Sequence, residues 1–445
     1  MKKLLILAYD FPPYVSVGGL RPYNWYRYLR EFDIEPIVIT RQWSNKNGNF
    51  LDYIAPGSSD NIIVEKSEYG TIIRTPYKPN LSNRILLNYG EHKFKWFRKA
   101  ISAYYEFAQF LFPVGPKVEI YKAALEYLKT NKVDAIIASG DPFILFKYAA
   151  KIGRKHNTPW IADYRDPWSH NQEYAKSNLH NLWHRYFEKR TVKEAAYITT
   201  VSQFVFNKID ALIPGKPFSI LPNGYDPEVI DKIASIPQGS EKLQIAFVGT
   251  IYEWHPLESF LRTVNSFIIS NPNERILINF YGTNASERIK HLTSIDFPEL
   301  TQHVRITPKM PNDELLAKLA ENNVMLLFNY YSYMGTKIFD YLGIQRKMIL
   351  CYSDDPEAQQ LKEKHYNIQE SETESKQLQA DLIQETNSGN IVKDSNHLIE
   401  VLAELHKEFI ETGEIACHSK GVENYSRKIQ VEQLARIVKL VASNN

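Results

Sequence analysis

The sequence contains very little cysteine: Cys351 and Cys417 are the only two in 445 residues. Two cysteines cannot build a disulfide framework or a cysteine-rich metal cluster, which excludes a small disulfide-stapled secreted domain. Cys351 ends an apolar run and is expected in a protein core. This usage fits a reducing compartment, and we predict a cytoplasmic protein without a metal site.

Long apolar runs are also missing. No stretch of 18 apolar residues occurs, so we expect no transmembrane helix. Residues 1–8 start with two lysines and an apolar run, but the run is short and leads to Asp10-Phe11-Pro12-Pro13 instead of a small-residue cleavage site. We interpret this segment as the first core strand.

The net charge is small, at +2, but it is unevenly distributed. Residues 1–222 hold 31 Lys and Arg and 20 Asp and Glu, which gives +11; residues 223–445 hold 22 and 31, which gives −9. This asymmetry indicates an anionic partner for the first half, and the alternative is two lobes that neutralise each other. The acidic second half argues against a nucleic-acid-binding protein.

Short apolar runs alternate with helical periodicities along the whole chain. This pattern predicts the α/β class, with two doubly wound, Rossmann-like domains that face each other across a cleft. The turn Pro222-Asn223-Gly224 places the boundary: residues 1–222 form the first domain and 223–420 the second, and a terminal helix over 421–445 packs back on the first. The loop after the first strand is not GxGxxG, which argues against a dehydrogenase.

Residues 325–351 predict a strand, a loop, a helix and a second strand. Thr336 is expected to cap the helix over 337–344, so the N-terminus of this helix lies at the carboxyl end of a parallel strand, where such sheets bind ligands. Its first N–H groups and Lys337 favour phosphate, and Asp340 could accept hydrogen bonds from ribose hydroxyls. These features suggest a nucleotide site; the alternative is an ordinary capped helix whose Lys and Asp are solvated.

Residues 93–112 combine an aromatic face with a basic face at helical spacing. Lys95, Arg98 and Lys99 lie opposite the aromatic residues, and Trp96 is nearby. This composition is typical of a helix at the surface of an anionic membrane. A helix that docks on the core and keeps a solvated basic edge is the alternative.

Four motifs in order resemble the retaining glycosyltransferases of the GT-B fold, specifically the family 4 group with its glycosyltransferase 4-like N-terminal domain. They are Asp10-Phe11-Pro12-Pro13 with Gly18-Gly19, residues 198–202 followed by residues 221–226, Phe247-Val248-Gly249-Thr250, and the segment over 335–342. The resemblance covers nearly the whole chain.

The resemblance implies a nucleotide-sugar donor held by the second domain, an acceptor held by the first, and no required metal or other cofactor. It implies that Asp340 binds the ribose, while Lys337 and backbone amides at Gly18, Gly19, Gly249 and Thr250 stabilise the departing diphosphate. Gly335 and Thr336 complete the implied donor site. Two departures stand out: Ser332 replaces the first glutamate of the family, and Thr250 and Trp254-His255-Pro256 replace an Arg and a Lys.

The run Asp163-Tyr164-Arg165-Asp166 ends a strand of the first domain, where the family often has a His-Asp pair near the acceptor. Arg165 is expected to contact an anionic acceptor or the donor phosphates, and Asp163 or Asp166 to orient an acceptor hydroxyl. The alternative is a structural ion pair. We predict Arg165, Asp166 and Lys337 as catalytic residues, with Asp163 and Asp166 on the acceptor side.

The leading hypothesis is a retaining, hexosyltransferase-type enzyme that builds a cell-surface polysaccharide on a glycan or lipid-linked acceptor. Its expected location is the cytoplasm, peripheral on the inner membrane face through residues 93–112. Two alternatives stay open. One is a nucleotide-sugar epimerase, and the other is a catalytically silent GT-B binding module, which the change at Ser332 motivates.

Overall fold

The computed structural model of the chain describes residues 1–14, 16–43, 50–169, 178–272, 275–368, 370 and 375–443. The chain forms two compact units: unit 1 comprises Met1–Pro222 and Lys428–Asn445, and unit 2 comprises Asn223–Arg427. Each unit has its own, mainly parallel sheet with helices around it. The predicted α/β class with two Rossmann-like domains is confirmed.

Unit 1 contains an eight-stranded sheet of order β3-β4-β2-β1-β5-β6-β7-β8, in which only the edge strand β3 is antiparallel to its neighbour. The strands are β1 Lys2–Leu7, β2 Ile34–Arg41, β3 Ile63–Lys66, β4 Thr71–Thr75, β5 Ala135–Gly140, β6 Trp160–Tyr164, β7 Tyr197–Thr200 and β8 Phe218–Ile220. The helices before the crossing into unit 2 are α1 Val17–Tyr28, α2 Phe50–Ile54, α3 Leu81–Tyr89, α4 Lys95–Ala108, α5 Val118–Thr130, α6 Ile144–His156, α7 Asn178–Val192 and α8 Gln203–Asp210.

Unit 2 contains a six-stranded parallel sheet of order β11-β10-β9-β12-β13-β14. Its strands are β9 Leu243–Val248, β10 Ile276–Tyr281, β11 Val304–Thr307, β12 Val324–Phe328, β13 Lys347–Cys351 and β14 Gly389–Val392. Its helices are α9 Pro227–Ile233, α10 Leu257–Ser270, α11 Ser286–His291, α12 Asn312–Ala320, α13 Lys337–Ile344, α14 Pro356–His365, α15 Leu378–Thr386 and α16 Ser395–Thr412.

Alternate residues of the central strand β9 face opposite sides of this sheet. Ile245 and Phe247 belong to one buried cluster, while Ala246 and Val248 belong to a second cluster on the other face. Because both faces are covered, the four consecutive positions 245–248 are all apolar, as is typical of a doubly wound sheet. Cys351 is completely buried, as the sequence predicts.

The last helix, α17 Arg427–Ser443, packs on unit 1. Leu434 and Val438 join the same buried cluster as Leu4 and Ile6 of β1. The sequence predicts this helix from residue 421, whereas the structure begins it at Arg427. The reason is local: Val422–Tyr425 form a short 3-10 helix, and a parallel bridge with Tyr225 then holds Ser426 extended, which separates this turn from α17.

Among the residues that the structure describes, no helix is both long enough and apolar enough to cross a bilayer.

Candidate active site

Helix α13 carries the predicted donor residues at the carboxyl edge of the sheet of unit 2. Lys337 Nζ lies 3.4 Å from Asp340 Oδ2, with 31% of the lysine side chain and 13% of the aspartate side chain exposed. The apolar residues Ile338, Tyr341 and Leu342 are buried, and they orient the helix. The lysine and aspartate thus form one partly exposed ionic pair, in which the lysine is the more accessible group.

The prediction that Thr336 caps this helix is wrong. Thr336 itself has helical backbone angles, φ −77 and ψ −25, and its side chain makes no capping hydrogen bond. A capping residue needs an extended backbone to turn its hydroxyl towards the next N–H groups. Gly335 precedes it against the ring of Tyr330, where an added Cβ would lie 3.7 Å from the ring.

The loop after β9 is fastened to the donor helix. The Val248 amide donates a hydrogen bond to the Tyr341 hydroxyl of α13 at 3.1 Å. Gly249 has φ +105, a conformation that favours glycine, and its amide donates to the Tyr281 carbonyl. The amide of Gly249 is therefore already used and does not face a diphosphate as predicted, whereas the neighbouring Thr250 is exposed.

Ser332 is buried and donates a hydrogen bond to Glu370 Oε1 at 2.7 Å. The other oxygen of Glu370 accepts from Lys362 Nζ at 2.9 Å. Where the resemblance leads us to expect a glutamate, the chain therefore has a serine that holds a carboxylate from a later segment. The loop between β12 and α13 therefore still lies beside a carboxylate in spite of the substitution, although Lys362 compensates its charge.

His255, in the segment that replaces the lysine of the family, is enclosed by aromatic rings. Its ring lies 5.1 Å from that of Tyr330 and 5.4 Å from that of Phe328, and its Nδ1 accepts from the Tyr252 amide. Burial lowers the pKa of His255 from 6.5 to about 3. The imidazole is therefore neutral, and it cannot replace a phosphate-binding lysine at neutral pH.

This burial predicts an acid-sensitive unit 2. Because the unfolded chain takes up a proton near pH 6.5 and the folded chain only near pH 3, the stability due to neutral His255 is complete above pH 6.5 and lost as the pH falls. At pH 5 we expect the free energy of unfolding to be roughly 2 kcal/mol lower than at neutral pH. Urea denaturation at pH 7.5 and pH 5 measures it, with His255→Asn as the variant, because asparagine keeps an acceptor without titrating. The control is the exposed His92→Asn, which should lose as much stability at pH 5 as the wild type. An equal loss in the wild type and in His255→Asn would contradict the assignment.

In unit 1, Gly18 allows the guanidinium of Arg165 to approach the start of α1. A Cβ at position 18 would lie 1.7 Å from Arg165 Nη1 and 3.0 Å from Asp10 Oδ2. Arg165 in turn donates to the carbonyl oxygens of Gly140 and Asp141 at 2.7 and 2.6 Å. The structure therefore brings together Gly18 and Arg165, two residues that the sequence predicts separately.

The amides of Gly18 and Gly19 are not directed at a ligand. Both donate to Ser16, Gly18 to the hydroxyl at 3.0 Å and Gly19 to the carbonyl at 3.1 Å. The Ser16 hydroxyl donates to Asp10 Oδ2 at 2.7 Å. The predicted contact of these two amides with a diphosphate is thus not supported, since Ser16 caps α1 and accepts from both of them. Burial raises the pKa of the Asp10 carboxyl, and Ser16 opposes this effect.

Asp163 belongs to the interior and not to a site. It is completely buried and receives hydrogen bonds from Arg21, Ser139 and Thr199, with an Arg21 Nη2 to Oδ1 distance of 2.8 Å. The structural ion pair that the sequence left open therefore exists, but its arginine is Arg21 and not Arg165. The predicted contact of Asp163 with an acceptor is wrong, because no part of this side chain is accessible.

A cavity of about 460 Å³ opens at the carboxyl ends of β1, β5 and β6, and Asp166 lines it. Aromatic side chains form much of its wall: Tyr9, Tyr53, Tyr77, Tyr105, Phe110, Phe143 and Trp168. Phe143 and Trp168 stack with their planes 2° apart. The amides of Asn80, Asn83, Gln109 and Asn181 add polar groups. We refer to this cavity as the unit 1 pocket.

Glu106, His180 and His184 meet at one side of the unit 1 pocket. His180 Nε2 donates to Glu106 Oε1 at 2.7 Å, and His184 Nε2 lies 3.8 Å from the same oxygen. The ligand atoms of the three lie within 4.8 Å of one another, which would suit a metal ion. However, His184 Nδ1 accepts the indole N–H of Trp168 at 2.8 Å. A neutral imidazole has only one nitrogen lone pair that can accept or coordinate, so His184 has none left for a metal ion. The geometry fits a hydrogen-bonded network better than a metal site.

Sequence reasoning missed this group, although one signal was available. His180 and His184 are four residues apart on a predicted helix, which puts both imidazoles on the same face. It also missed Lys117, which lines the pocket with its Nζ 5.6 Å from the ring centre of Tyr9. Burial lowers the pKa of Lys117, and the carboxylates of Asp141, Glu106 and Asp10 oppose this shift.

Comparisons with known proteins support the sugar-transferase resemblance. The family model described as Glycosyltransferase Family 4 matches residues 104–229. No curated protein sequence matches the chain.

Solved structures match over the full length. A sucrose-phosphate synthase from Thermosynechococcus elongatus is 12% identical, with 100% of this chain and 97% of that chain covered and a TM-score of 0.54. A UDP-forming trehalose-phosphate synthase from Burkholderia xenovorans, solved with glucose-6-phosphate, is 12% identical at 99% and 100% coverage, with a TM-score of 0.58. A glycosyltransferase from Rickettsia africae is 10% identical at 100% and 99% coverage, with a TM-score of 0.55. At these identities the matches establish the fold.

Proposed function

Because the chain has the GT-B fold and resembles family 4 glycosyltransferases in its motifs and over residues 104–229, we propose that it is a retaining glycosyltransferase. It transfers a hexose from a nucleotide-sugar donor to a glycan or lipid-linked acceptor in cell-surface polysaccharide synthesis. The observation that carries this proposal is the partly exposed pair of Lys337 and Asp340 on α13. One helix thus offers a cation for phosphate and a carboxylate for ribose hydroxyls.

The chemistry needs charge stabilisation at the leaving group. When the glycosidic bond to the donor breaks, negative charge grows on the terminal phosphate of the departing diphosphate. Lys337 stabilises this charge as a point cation, and it can swing away from Asp340 because its side chain is partly exposed. We propose that transfer requires no metal and no other cofactor, since the lysine supplies the positive charge.

On the acceptor side, we propose that Asp166 orients the attacking hydroxyl in the unit 1 pocket, which it lines. Arg165 holds the two carbonyls that follow β5 and keeps the rim of the site in place. Ser332 does not by itself argue for a silent module, because Glu370 keeps a carboxylate beside it.

Donor hydrolysis tests the proposal. Purified protein is incubated with a panel of nucleotide sugars, beginning with UDP-sugars because the trehalose-phosphate synthase relatives are UDP-forming, and the released nucleotide is measured with and without EDTA. We expect release from at least one donor in both conditions. Donor binding without release would favour the silent module, and a sugar epimerised at constant nucleotide-sugar concentration would favour the epimerase.

The surface around α4 supports peripheral membrane binding. Trp96, Phe97 and Tyr104 keep 80%, 56% and 61% of their surface exposed, so this aromatic face does not dock on the core. The helix packs on α3 by a different face, through a hydrogen bond of 2.8 Å between Ser82 and Ser102. Lys99 Nζ lies 4.9 Å from the Trp96 ring centre. We propose that this aromatic and basic surface contacts the anionic inner leaflet.

Charge reversal on α4 is expected to release the protein from membranes. Each lysine or arginine near an anionic surface contributes roughly 1 kcal/mol. Changing Lys95, Arg98 and Lys99 to Glu should therefore weaken binding to phosphatidylserine liposomes by at least ~100-fold. Added salt should weaken liposome binding of the wild-type protein, because it screens the attraction. Flotation assays measure it. The control changes three exposed lysines of the same unit, Lys122, Lys129 and Lys132, to Glu, and an equal effect of both triple variants would contradict the α4 surface.

A further inference from the structure

The ionisable groups of the unit 1 pocket are mostly acidic. Among the lining residues that the structure describes, Glu106, Asp141 and Asp166 stand together with a single ammonium group, that of Lys117. With neutral histidines the lining has a formal charge of −2. Among the described lining residues there is no arginine, the side chain that recognises phosphate with two parallel hydrogen bonds.

The one cation of the pocket is already compensated. Asp141, Glu106 and Asp10 all act electrostatically on Lys117, and burial disfavours its charged form. A phosphate dianion entering the pocket would meet three carboxylates and one shielded ammonium group. Two arginines lie behind this lining without entering it, Arg41 on the Tyr9 hydroxyl and Arg165 on the Asp141 carbonyl. The charged groups that a dianion would meet directly are mainly repulsive, so the pocket disfavours a phosphorylated ligand.

The rest of the lining matches the chemistry of a sugar. Aromatic faces pack on the C–H surface of a pyranose ring. Asn80, Asn83 and Gln109 already make hydrogen bonds within the protein, but each side-chain amide has two donors and two acceptor lone pairs, so capacity remains to pair with sugar hydroxyls. Glu106 offers a carboxylate that the imidazole N–H of His180 holds in place. The partly buried Phe143 ring stacks on the buried Trp168 ring, and this contact stiffens the wall.

We propose that the unit 1 pocket binds an unphosphorylated acceptor sugar, neutral or bearing an amino group, and that Glu106 accepts hydrogen bonds from its hydroxyls. The proposal rests on the proposed function, because it assigns the acceptor to this pocket. It separates the protein from the Burkholderia xenovorans relative in one respect, since that structure contains glucose-6-phosphate. A negative lining favours an amino sugar further.

Ligand-observed NMR on the full-length protein tests this selectivity. The probes are methyl glycosides of common hexoses, glucosamine and glucose 6-phosphate, each at the same concentration and ionic strength. We expect saturation transfer to at least one glycoside or to glucosamine, and binding of glucose 6-phosphate at least ~10-fold weaker. Equal or tighter binding of glucose 6-phosphate would overturn the proposal, and so would binding of no saccharide by protein that hydrolyses a donor.

Two variants show whether Glu106 acts on the ligand. Glu106→Gln should weaken binding of the best glycoside about tenfold, because a charge-assisted acceptor is lost. It should also reduce the ratio of glycoside affinity to glucose 6-phosphate affinity, because a negative charge that repels the phosphate is lost. Asp166→Asn removes a charge from another segment and should narrow the preference likewise. Exposed Glu126→Gln is the control. An unchanged preference in both pocket variants would overturn the proposal; glycoside binding without donor hydrolysis would instead reject only the proposed enzyme activity.

Discussion

Replacing Lys337 with alanine is expected to lower the turnover of donor hydrolysis or transfer by about 2–4 kcal/mol of transition-state stabilisation, or roughly 30- to 1,000-fold. The side chain is the one cation of the predicted donor helix, and the histidine in the preceding β9–α10 loop is neutral. Most of the loss should appear in kcat, because the charge that the lysine stabilises grows only as the bond to the sugar breaks.

A matched control exists on the neighbouring helix α12. Lys318 pairs with Glu321 at the same three-residue spacing as Lys337 with Asp340. Lys318→Ala removes a lysine of the same kind and should leave turnover unchanged. Asp340→Asn should weaken nucleotide binding by about 1–2 kcal/mol, seen in calorimetric titration of the nucleotide. If Lys337→Ala and Lys318→Ala behave alike, α13 is not the phosphate-binding helix.

Replacing Asp163 with asparagine is expected to destabilise the protein by about 3–5 kcal/mol, because the substitution leaves the buried guanidinium of Arg21 without its counter-charge. Arg21 has only 7% and Asp163 none of its side chain exposed. Arg21 also donates to the Leu221 carbonyl at 2.7 Å, so the pair fastens α1 to β6 and to the segment after β8. Urea denaturation of the variant measures the loss.

The comparison for this variant is Asp60→Asn, which changes an exposed ion pair with Lys78 in the same unit. We expect that substitution to lower the free energy of unfolding by at most about 1 kcal/mol. A variant at position 163 that is as stable as Asp60→Asn but inactive in transfer would show that Asp163 acts on the acceptor after all. A combined Arg21→Met and Asp163→Leu variant should recover part of the stability, since no buried charge is then left unpaired.

The fold could be predicted from the sequence because its signals are local. Apolar runs such as 245–248 and 324–328 end where polar or glycine residues begin, and the carboxyl ends of the parallel strands lie at the same edge of their sheet. This rule placed Lys337, Asp340 and Asp166 near ligand-binding edges with no knowledge of their neighbours in space.

The partners of these residues could not be predicted, because they are distant in the sequence. Arg21 and Asp163 are 142 positions apart, and Glu106 and His180 are 74 apart. A carboxylate beside an arginine in the sequence, as in Arg165-Asp166, suggested a local pair, whereas buried charges pair according to the tertiary packing. The hydrogen bonds that occupy the Gly18, Gly19 and Gly249 amides were hidden for the same reason, since a glycine motif does not show where its N–H groups point.

The order of synthesis gives the terminal helix α17 a further consequence. Leu434 and Val438 complete the core around β1, yet the ribosome makes them only after all of unit 2. Domains usually fold in the order in which they emerge. Unit 1 emerges first, but its core stays open along an apolar groove until α17 has been made. Unit 2, in contrast, contains all of its own strands once residue 427 has been made. In the nascent chain, unit 2 should therefore complete its folding before unit 1. Until then, the groove for α17 is the exposed apolar surface that a chaperone would have to protect.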